Sequence, residues 1–332
     1  MSEVVTDRAA RVGGRLLSWQ RLAQYVIVAA TIAEAAYFAA RADAFLSVPN
    51  LINIALSIAI IGILAVGMTM VILTGGIDLS VGSVVALAGV VAATLAAASG
   101  GTGGVALGFA AALAIGLGVG LFDGLVIAHL RVPPFVATLA MLTICRGLAF
   151  VISGGRSIGD LPASFNFVGR ESLLGLPLPV ILMALVFAGG WFLLRRTVIG
   201  RYIYAVGGNR RATFFAGVNT RRVIVLTYVL NGLLVGVAGF VLASRLGAGV
   251  PNSGIQYELD VIAAVVVGGT SLTGGQGSVV GTFWGAVFIG VLNNGLNLFG
   301  VDPYMQKIAL GVVLLLAVFA DQAGKTRGAA EG

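Results

Sequence analysis

The stretch LINIALSIAIIGILAVGMTMVILT, residues 51–74, contains no charged side chain over its whole length. A helix needs about 20 mostly apolar residues to cross the hydrocarbon core of a bilayer, so this stretch predicts a transmembrane helix. The rest of the chain has the same character, since 58% of its 332 residues are hydrophobic and only 10% are charged. Soluble domains have about 25% charged residues. The sequence therefore predicts an all-α integral membrane protein.

Hydrophobic runs of similar length recur on both sides of this segment. Two further runs, 83–98 and 258–272, are shorter than a usual span. We expect them either to cross a locally thinned bilayer or to form re-entrant or broken helices. Counting both gives about ten transmembrane helices, and leaving both out gives eight. The longer candidates are 22–40, 51–74, 105–128, 134–152, 177–194, 223–243, 279–298 and 304–320.

The distribution of Lys and Arg predicts which loops face the cytoplasm, because cytoplasmic loops collect basic residues. With ten crossings and a cytoplasmic N-terminus, 14 of the 20 basic residues lie in cytoplasmic segments. Half of these are the seven arginines of 195–222, a loop without any acidic residue. We therefore expect a basic cytoplasmic segment at 1–21, a single transmembrane domain at 22–320 and a cytoplasmic tail at 321–332.

Two segments of the chain are weakly similar to each other. Residues 75–80 read GGIDLS and residues 268–273 read GGTSLT, and each is followed shortly by SVV. Each lies between an inward and an outward span, which predicts a parallel internal repeat. Chance similarity between Gly-rich segments is the alternative explanation. Interrupted spans in corresponding places are typical of a translocation path.

The basic loop 195–222 contains a pattern that charge alone does not explain. Asn209 stands where a helix N-cap is expected, and the residues from Arg210 to Ala216 make about two helical turns. Gly217 suits the C-terminal stop of such a helix. A short basic helix with two phenylalanines at the membrane surface is typical of a docking site for another protein.

Three segments together resemble the permease subunits of bacterial ATP-binding cassette importers for monosaccharides, of the ribose, xylose and galactoside type. The resemblance runs from about Asn50 to Asp321. It is carried by LTGGIDLSVGS (73–83), AVGGNRRATFFAGVNTRRV (205–223) and VVVGGTSLTGGQGSVVGT (265–282). The resemblance implies that the loop 195–222 carries a coupling helix that docks on an ATPase subunit. The residues assigned to this coupling segment are Asn209, Arg210, Arg211, Ala212, Phe214, Phe215 and Gly217.

The resemblance also implies the partners and the location of the protein. Two permease copies, expected as a homodimer in the bacterial inner membrane, would enclose the path. An ATP-binding cassette ATPase subunit would bind ATP and Mg²⁺, and a periplasmic sugar-binding protein would deliver the substrate. The chain itself is then not an enzyme, has no cofactor and binds no nucleic acid. Gly324-Lys325-Thr326 ends like a Walker A loop, but Phe319 stands where the first glycine belongs.

Polar residues within or beside the spans are the candidate path residues. Asp78 either caps the third span or takes part in a gate. The side-chain amides both donate and accept hydrogen bonds, which suits a neutral hydroxyl-rich substrate, although bonds between helices are the alternative role. The candidate amides are Asn53, Asn293, Asn294 and Asn297.

Two charged residues, Glu34 and Arg146, lie at similar depth in their predicted spans. Each is about twelve residues, or roughly 18 Å, from the inner end of its span. Equal depth predicts a structural ion pair, since pairing lowers the cost of burying both charges. No spacing of His, Cys, Asp and Glu predicts a metal site.

Other classes of transporter remain open from the sequence. An ion-coupled secondary transporter would work without an ATPase. A permease for branched-chain amino acids is a distant relative within the same resemblance. A zwitterionic substrate would require opposite charges or helix ends in the path.

Overall fold

A computed structural model describes residues 25–330, with side chains described for residues 25–319 and Gln322. The predicted basic segment 1–21 lies outside the described residues. The predicted tail 321–332 is described only as the continuation of the last helix, to Ala330.

The described chain is almost entirely helical, as the sequence predicts, apart from one hairpin of two-residue strands. The helices before the hairpin are α1 (25–41), α2 (Val48–Leu73), α3 (Val81–Ser99), α4 (Gly101–His129), α5 (Pro134–Ser153), a 3₁₀ turn (Ala163–Asn166) and α6 (Phe167–Arg170). The hairpin and the later helices are β1 (Ser172–Leu173), β2 (Leu176–Pro177), α7 (Leu178–Arg196), α8 (Val198–Gly208), α9 (Arg210–Phe215), α10 (Thr220–Leu246), α11 (Tyr257–Val267), α12 (Val279–Leu298) and α13 (Pro303–Ala330).

Within the described residues, 7 helices are long and apolar enough to cross a membrane. The short run 83–98 is extended to the 19 residues of α3, which suffice for a crossing. The other short run, 258–272, forms only the 11 residues of α11. At about 1.5 Å per residue, α11 is roughly half as long as the hydrocarbon core is thick. The count of about ten crossings and the single domain at 22–320 stay predictions.

Three helices form the centre of the bundle. Most of the apolar length of α2, α3 and α10 is buried, whereas less than a third of that of α4, α5 and α7 is buried. The exposed faces carry large apolar side chains, among them Phe122, Phe135 and Phe192. Such a surface suits contact with lipid tails rather than with water.

Glycines allow α4 and α10 to pack with their backbones in contact. A Cβ atom added at Gly116 would overlap the carbonyl oxygen of Gly232, and one added at Gly232 would overlap that of Gly116. Gly120 and Gly124 lie in the same way against Tyr228 and Val225. Small residues at helix contacts are how membrane helices approach closely when lipid supplies no hydrophobic driving force.

Two non-helical segments, 74–80 and 268–278, interrupt the helices inside the bundle. They meet where the N–H of Gly275 donates to the carbonyl oxygen of Leu73, at 2.9 Å. Irregular backbone inside a protein is tolerated only where its polar groups find partners. That 258–272 forms a broken or re-entrant span stays a prediction, and so does the parallel internal repeat.

Gly116→Ala should lower the free energy of unfolding by about 1–3 kcal/mol, because the added methyl forces the α4 and α10 backbones apart. Thermal unfolding of the detergent-solubilised protein, followed by the loss of its monodisperse peak on size exclusion, measures this effect.

Gly118→Ala is the matched control, since a Cβ at Gly118 meets no other atom within 4 Å. Both substitutions raise the helix propensity by the same amount, so the difference between their unfolding midpoints reports the effect of packing alone. Equal midpoints for the two variants would contradict the close packing of α4 and α10.

Candidate functional site

A polar cavity of about 490 Å³ lies between α2, α11, α12 and α13. It is near the end of the bundle opposite the arginine-rich loop 195–222. We call it the amide cavity, because six side-chain amides contribute to its wall. These are Asn50, Asn53, Asn293, Asn294, Asn297 and Gln306.

The four predicted path amides thus lie at one cavity. One of them is hydrogen-bonded within the protein, and three are not. Asn294 exchanges two hydrogen bonds with Asn50, at 3.0 and 2.9 Å. The side chains of Asn53, Asn293 and Asn297 form no hydrogen bond with another described residue. Asn294 therefore joins α12 to α2, whereas the other three amides are free to meet a ligand.

Two charged residues, Arg245 and Asp260, also line the amide cavity and were missed by the sequence analysis. Arg245 donates to the carbonyl oxygen of Leu56 at 2.9 Å, and Lys307 Nζ lies 3.3 Å from Asp260 Oδ1. Both charges therefore have partners in the protein. Asp260 could have been noticed, since an ionisable residue within an apolar run is a functional candidate by default.

Asp78 lies away from the amide cavity, in the buried segment 74–80. Its Oδ1 accepts from the N–H and the hydroxyl of Ser80, at 2.8 and 2.7 Å. Its Oδ2 accepts from the amide of Asn231 on α10, at 2.7 Å. Asp78 therefore ties the start of α3 to α10, and its assignment to a gate stays a prediction.

The predicted ion pair between Glu34 and Arg146 is not formed. Arg146 donates to the carbonyl oxygens of Pro251 and Ser253, at 2.7 and 2.8 Å. Both carboxylate oxygens of Glu34 are buried without a partner among the described residues. The prediction was wrong because equal depth fixes only one coordinate, and the lateral position of each helix decides which side chains meet.

The short helix in the loop 195–222 has the predicted caps. The side chain of Asn209 accepts from the N–H of Ala212 at 2.9 Å, as an N-cap does. Gly217 has a positive φ of 84°, and the next N–H, of Val218, donates back to Thr213. The helix proper ends at Phe215, one residue earlier than expected.

The outer surface of α9 is basic and aromatic. Phe214 and Phe215 are 62% and 80% exposed, and Arg210 and Arg211 beside them are also exposed. An exposed aromatic pair with flanking arginines is the composition that protein interfaces favour. α9 therefore has the surface of a docking helix.

Contacts of α8 and α9 connect this docking surface to the interrupted spans. The hydroxyl of Thr213 donates to Ala205 of α8 at 2.8 Å. Tyr204, also on α8, donates to the carbonyl oxygen of Gly277 at 2.9 Å. A side chain at Gly207 would overlap the carbonyl oxygen of Leu73. α9 is therefore connected, through α8, to the place where the segments 74–80 and 268–278 meet.

Comparison with known proteins places the chain among transport permeases. Residues 50–318 match the family described as the permease component of branched-chain amino acid transport systems. The ribose import permease protein of Bacillus subtilis is 47% identical over 280 residues, covering 84% of this chain and 86% of the relative. The corresponding protein of Haemophilus influenzae is 45% identical over 281 residues, covering 83% and 86%.

A further relative is the xylose transport system permease protein of Escherichia coli. It is 37% identical over an alignment of 365 residues, covering 91% of this chain and 92% of the relative. No solved structure matches the chain. Both the extent of the family match and the identity to these relatives show that the chain belongs to this family of transport-system permease components.

Proposed function

We propose that the chain is the membrane-spanning subunit of an ATP-driven importer that passes a monosaccharide to the cytoplasm by alternating access. The observation that carries this proposal is the 45% and 47% identity to ribose import permeases over more than four fifths of the chain. The relatives at this level of identity are named for sugars, which favours a monosaccharide over a branched-chain amino acid. An ion-coupled secondary transporter is disfavoured by the same relatives.

The chemistry of the amide cavity supports a neutral substrate. Its three unpaired amides, on Asn53, Asn293 and Asn297, can each donate and accept, as sugar hydroxyls require. The charges of Arg245 and Asp260 are already engaged within the protein. We therefore assign these three amides to the translocation path.

The partners follow from the same proposal. A separate ATPase subunit binds ATP and Mg²⁺, a periplasmic binding protein delivers the sugar, and a second copy of this chain completes the path. The arginine-rich face with α9 is the cytoplasmic side of the bacterial inner membrane, because basic loops stay inside.

In the proposed mechanism, closure of the ATPase dimer displaces α9. The displacement passes through α8 to the junction between Leu73 and Gly275, and so to the interrupted spans. The permease needs only two conformations within a few kcal/mol of each other for the ATPase to shift their balance. It forms and breaks no covalent bond.

Asn293→Leu should reduce sugar uptake about fivefold or more while leaving the thermal stability unchanged, because its amide is free of protein partners. The adjacent Asn294→Leu should instead destabilise the protein by about 1–3 kcal/mol, since the side-chain oxygen of buried Asn50 then loses its donor. Uptake of radiolabelled ribose by cells with the cognate ATPase and binding protein, together with thermal unfolding, measures both effects.

The two adjacent positions are matched in residue type, helix and depth. Equal loss of stability in both variants would show that Asn293 is structural and would remove it from the path. Uptake of leucine, but not of ribose or xylose, by the unmodified system would exclude the monosaccharide and favour the amino-acid permease.

Arg210→Glu combined with Arg211→Glu should leave the protein in the membrane but abolish copurification of the ATPase and reduce uptake at least tenfold. Charge reversal on both arginines opposes the docking of α9 to a surface that had accepted positive charge. Gentle solubilisation of a tagged chain, followed by quantification of the copurified ATPase, measures the association.

Arg201→Glu combined with Arg222→Glu is the control, because it makes the same charge change on the same face but off α9. Normal uptake by the α9 variant would reject the assignment of the coupling helix. Recovery of the unmodified chain without any ATPase, with uptake that survives depletion of ATP, would reject the importer itself.

A further inference from the structure

A second and larger cavity, of about 1230 Å³, opens on the arginine-rich face of the bundle. It lies between the end of α4, the start of α5, helix α9 and the start of α10. We call it the basic cavity, because four arginines line it and no acidic residue does. They are Arg131, Arg210, Arg211 and Arg221.

The arginines of the basic cavity have no counter-charge among the residues that the structure describes. None of the four forms an ion pair or a side-chain hydrogen bond with another described residue. Two long helices, α5 and α10, also begin at its wall, at Pro134 and Thr220. Helix N-termini carry partial positive charge, which adds to that of the four arginines, whereas the end of α4 at the same wall carries partial negative charge. The four full charges outweigh that partial charge, so the wall as a whole attracts an anion.

Thr220 is a buried polar residue of this wall. Its residue is 5% exposed, and its hydroxyl forms no hydrogen bond with another described residue. The side chain of Asn219, which caps α10, accepts a hydrogen bond only from the N–H of Arg222, at 3.1 Å. The N–H groups of Thr220 and Arg221 and the Thr220 hydroxyl therefore remain available to one ligand oxygen group.

The floor of the basic cavity is apolar. It is formed in part by Ile127 of α4 and by Ile224 and Tyr228 of α10. From Thr220 to Tyr228 the wall extends roughly 12 Å along the helix axis, at about 1.5 Å per residue. This length exceeds the roughly 5–8 Å depth of one headgroup region of a bilayer, so a ligand that fills the cavity needs an apolar end as well as an anionic one.

We propose that the basic cavity is a binding site for an anionic phospholipid. The phosphate lies between the arginines and the N-terminus of α10 and accepts from the Thr220 hydroxyl. The glycerol and the upper acyl chains cover Ile127 and Ile224. A free phosphate ion would satisfy the mouth of the cavity but leave the apolar floor uncovered, which favours a lipid over the ion.

The test is a lipid titration of the purified permease, delipidated in a neutral detergent, with bound molecules counted by native mass spectrometry. Phosphatidylglycerol should bind at least tenfold more tightly than zwitterionic phosphatidylcholine. Arg221→Gln should lower the affinity for phosphatidylglycerol about fivefold, in line with the attraction of one basic residue to an anionic lipid surface. Arg131→Gln should lower this affinity by a similar factor, and Thr220→Val should lower it by about two- to threefold.

Arg222→Gln is the matched control, because Arg222 is adjacent in sequence but does not line the cavity. An equal effect of Arg221→Gln and Arg222→Gln would overturn the site and leave only the general attraction of a basic face. Equal affinity for the two lipids would overturn it as well. Displacement of the lipid by inorganic phosphate at millimolar concentration would show that the site takes the ion alone.

The complex with the copurified ATPase provides the last comparison. Phosphatidylglycerol that stays bound in that complex, and binds more weakly there in the Arg221→Gln variant, supports a lipid site that coexists with docking of the ATPase. Absence of lipid from the complex would assign the basic cavity to the ATPase interface instead. Because binding is measured without transport, its failure would leave the proposed importer function standing.

Discussion

The hydrogen bond from Gly275 to the carbonyl oxygen of Leu73 joins the two places where the helical path of the chain is interrupted. Buried polar backbone groups are costly to leave unpaired, so each of these interruptions must be satisfied from within the protein. The carbonyl oxygen of Ile77 accepts from Thr138 and Tyr228, at 3.2 and 3.4 Å. The arrangement of α2, α5 and α10 around the segment 74–80 follows from this requirement.

The same junction is contacted by the basic loop 195–222, which contains two short helices. α8 approaches so closely that only a glycine fits at position 207, and Thr213 holds α9 against α8. Contacts of this kind are what the proposed coupling between α9 and the interrupted spans requires. The exposed phenylalanines of α9 are then at one end of a continuous set of contacts, and the interrupted spans are at the other.

The amides of the chain take two different roles that their residue type does not reveal. Asn231 and Asn294 complete hydrogen bonds between helices and so contribute to the fold. Asn53 and Asn293 present the same chemistry to a cavity, where only a ligand or water would complete it. A weak site of this kind suits a path, because a substrate held tightly between helices would not be released.

The sequence by itself determined the all-helical membrane class, the capped helix at 209–217 and the family. These depend on local properties, namely the length of apolar runs, the position of a cap and a contiguous motif. Tertiary structure alone decided that Arg146 bonds to the carbonyls of Pro251 and Ser253 rather than to Glu34, and that α11 stops after 11 residues. It also decided that Asn294 is paired while its neighbour Asn293 is free. The reason is that the sequence specifies the depth of a residue along its helix, whereas the lateral packing of the helices specifies which side chains meet.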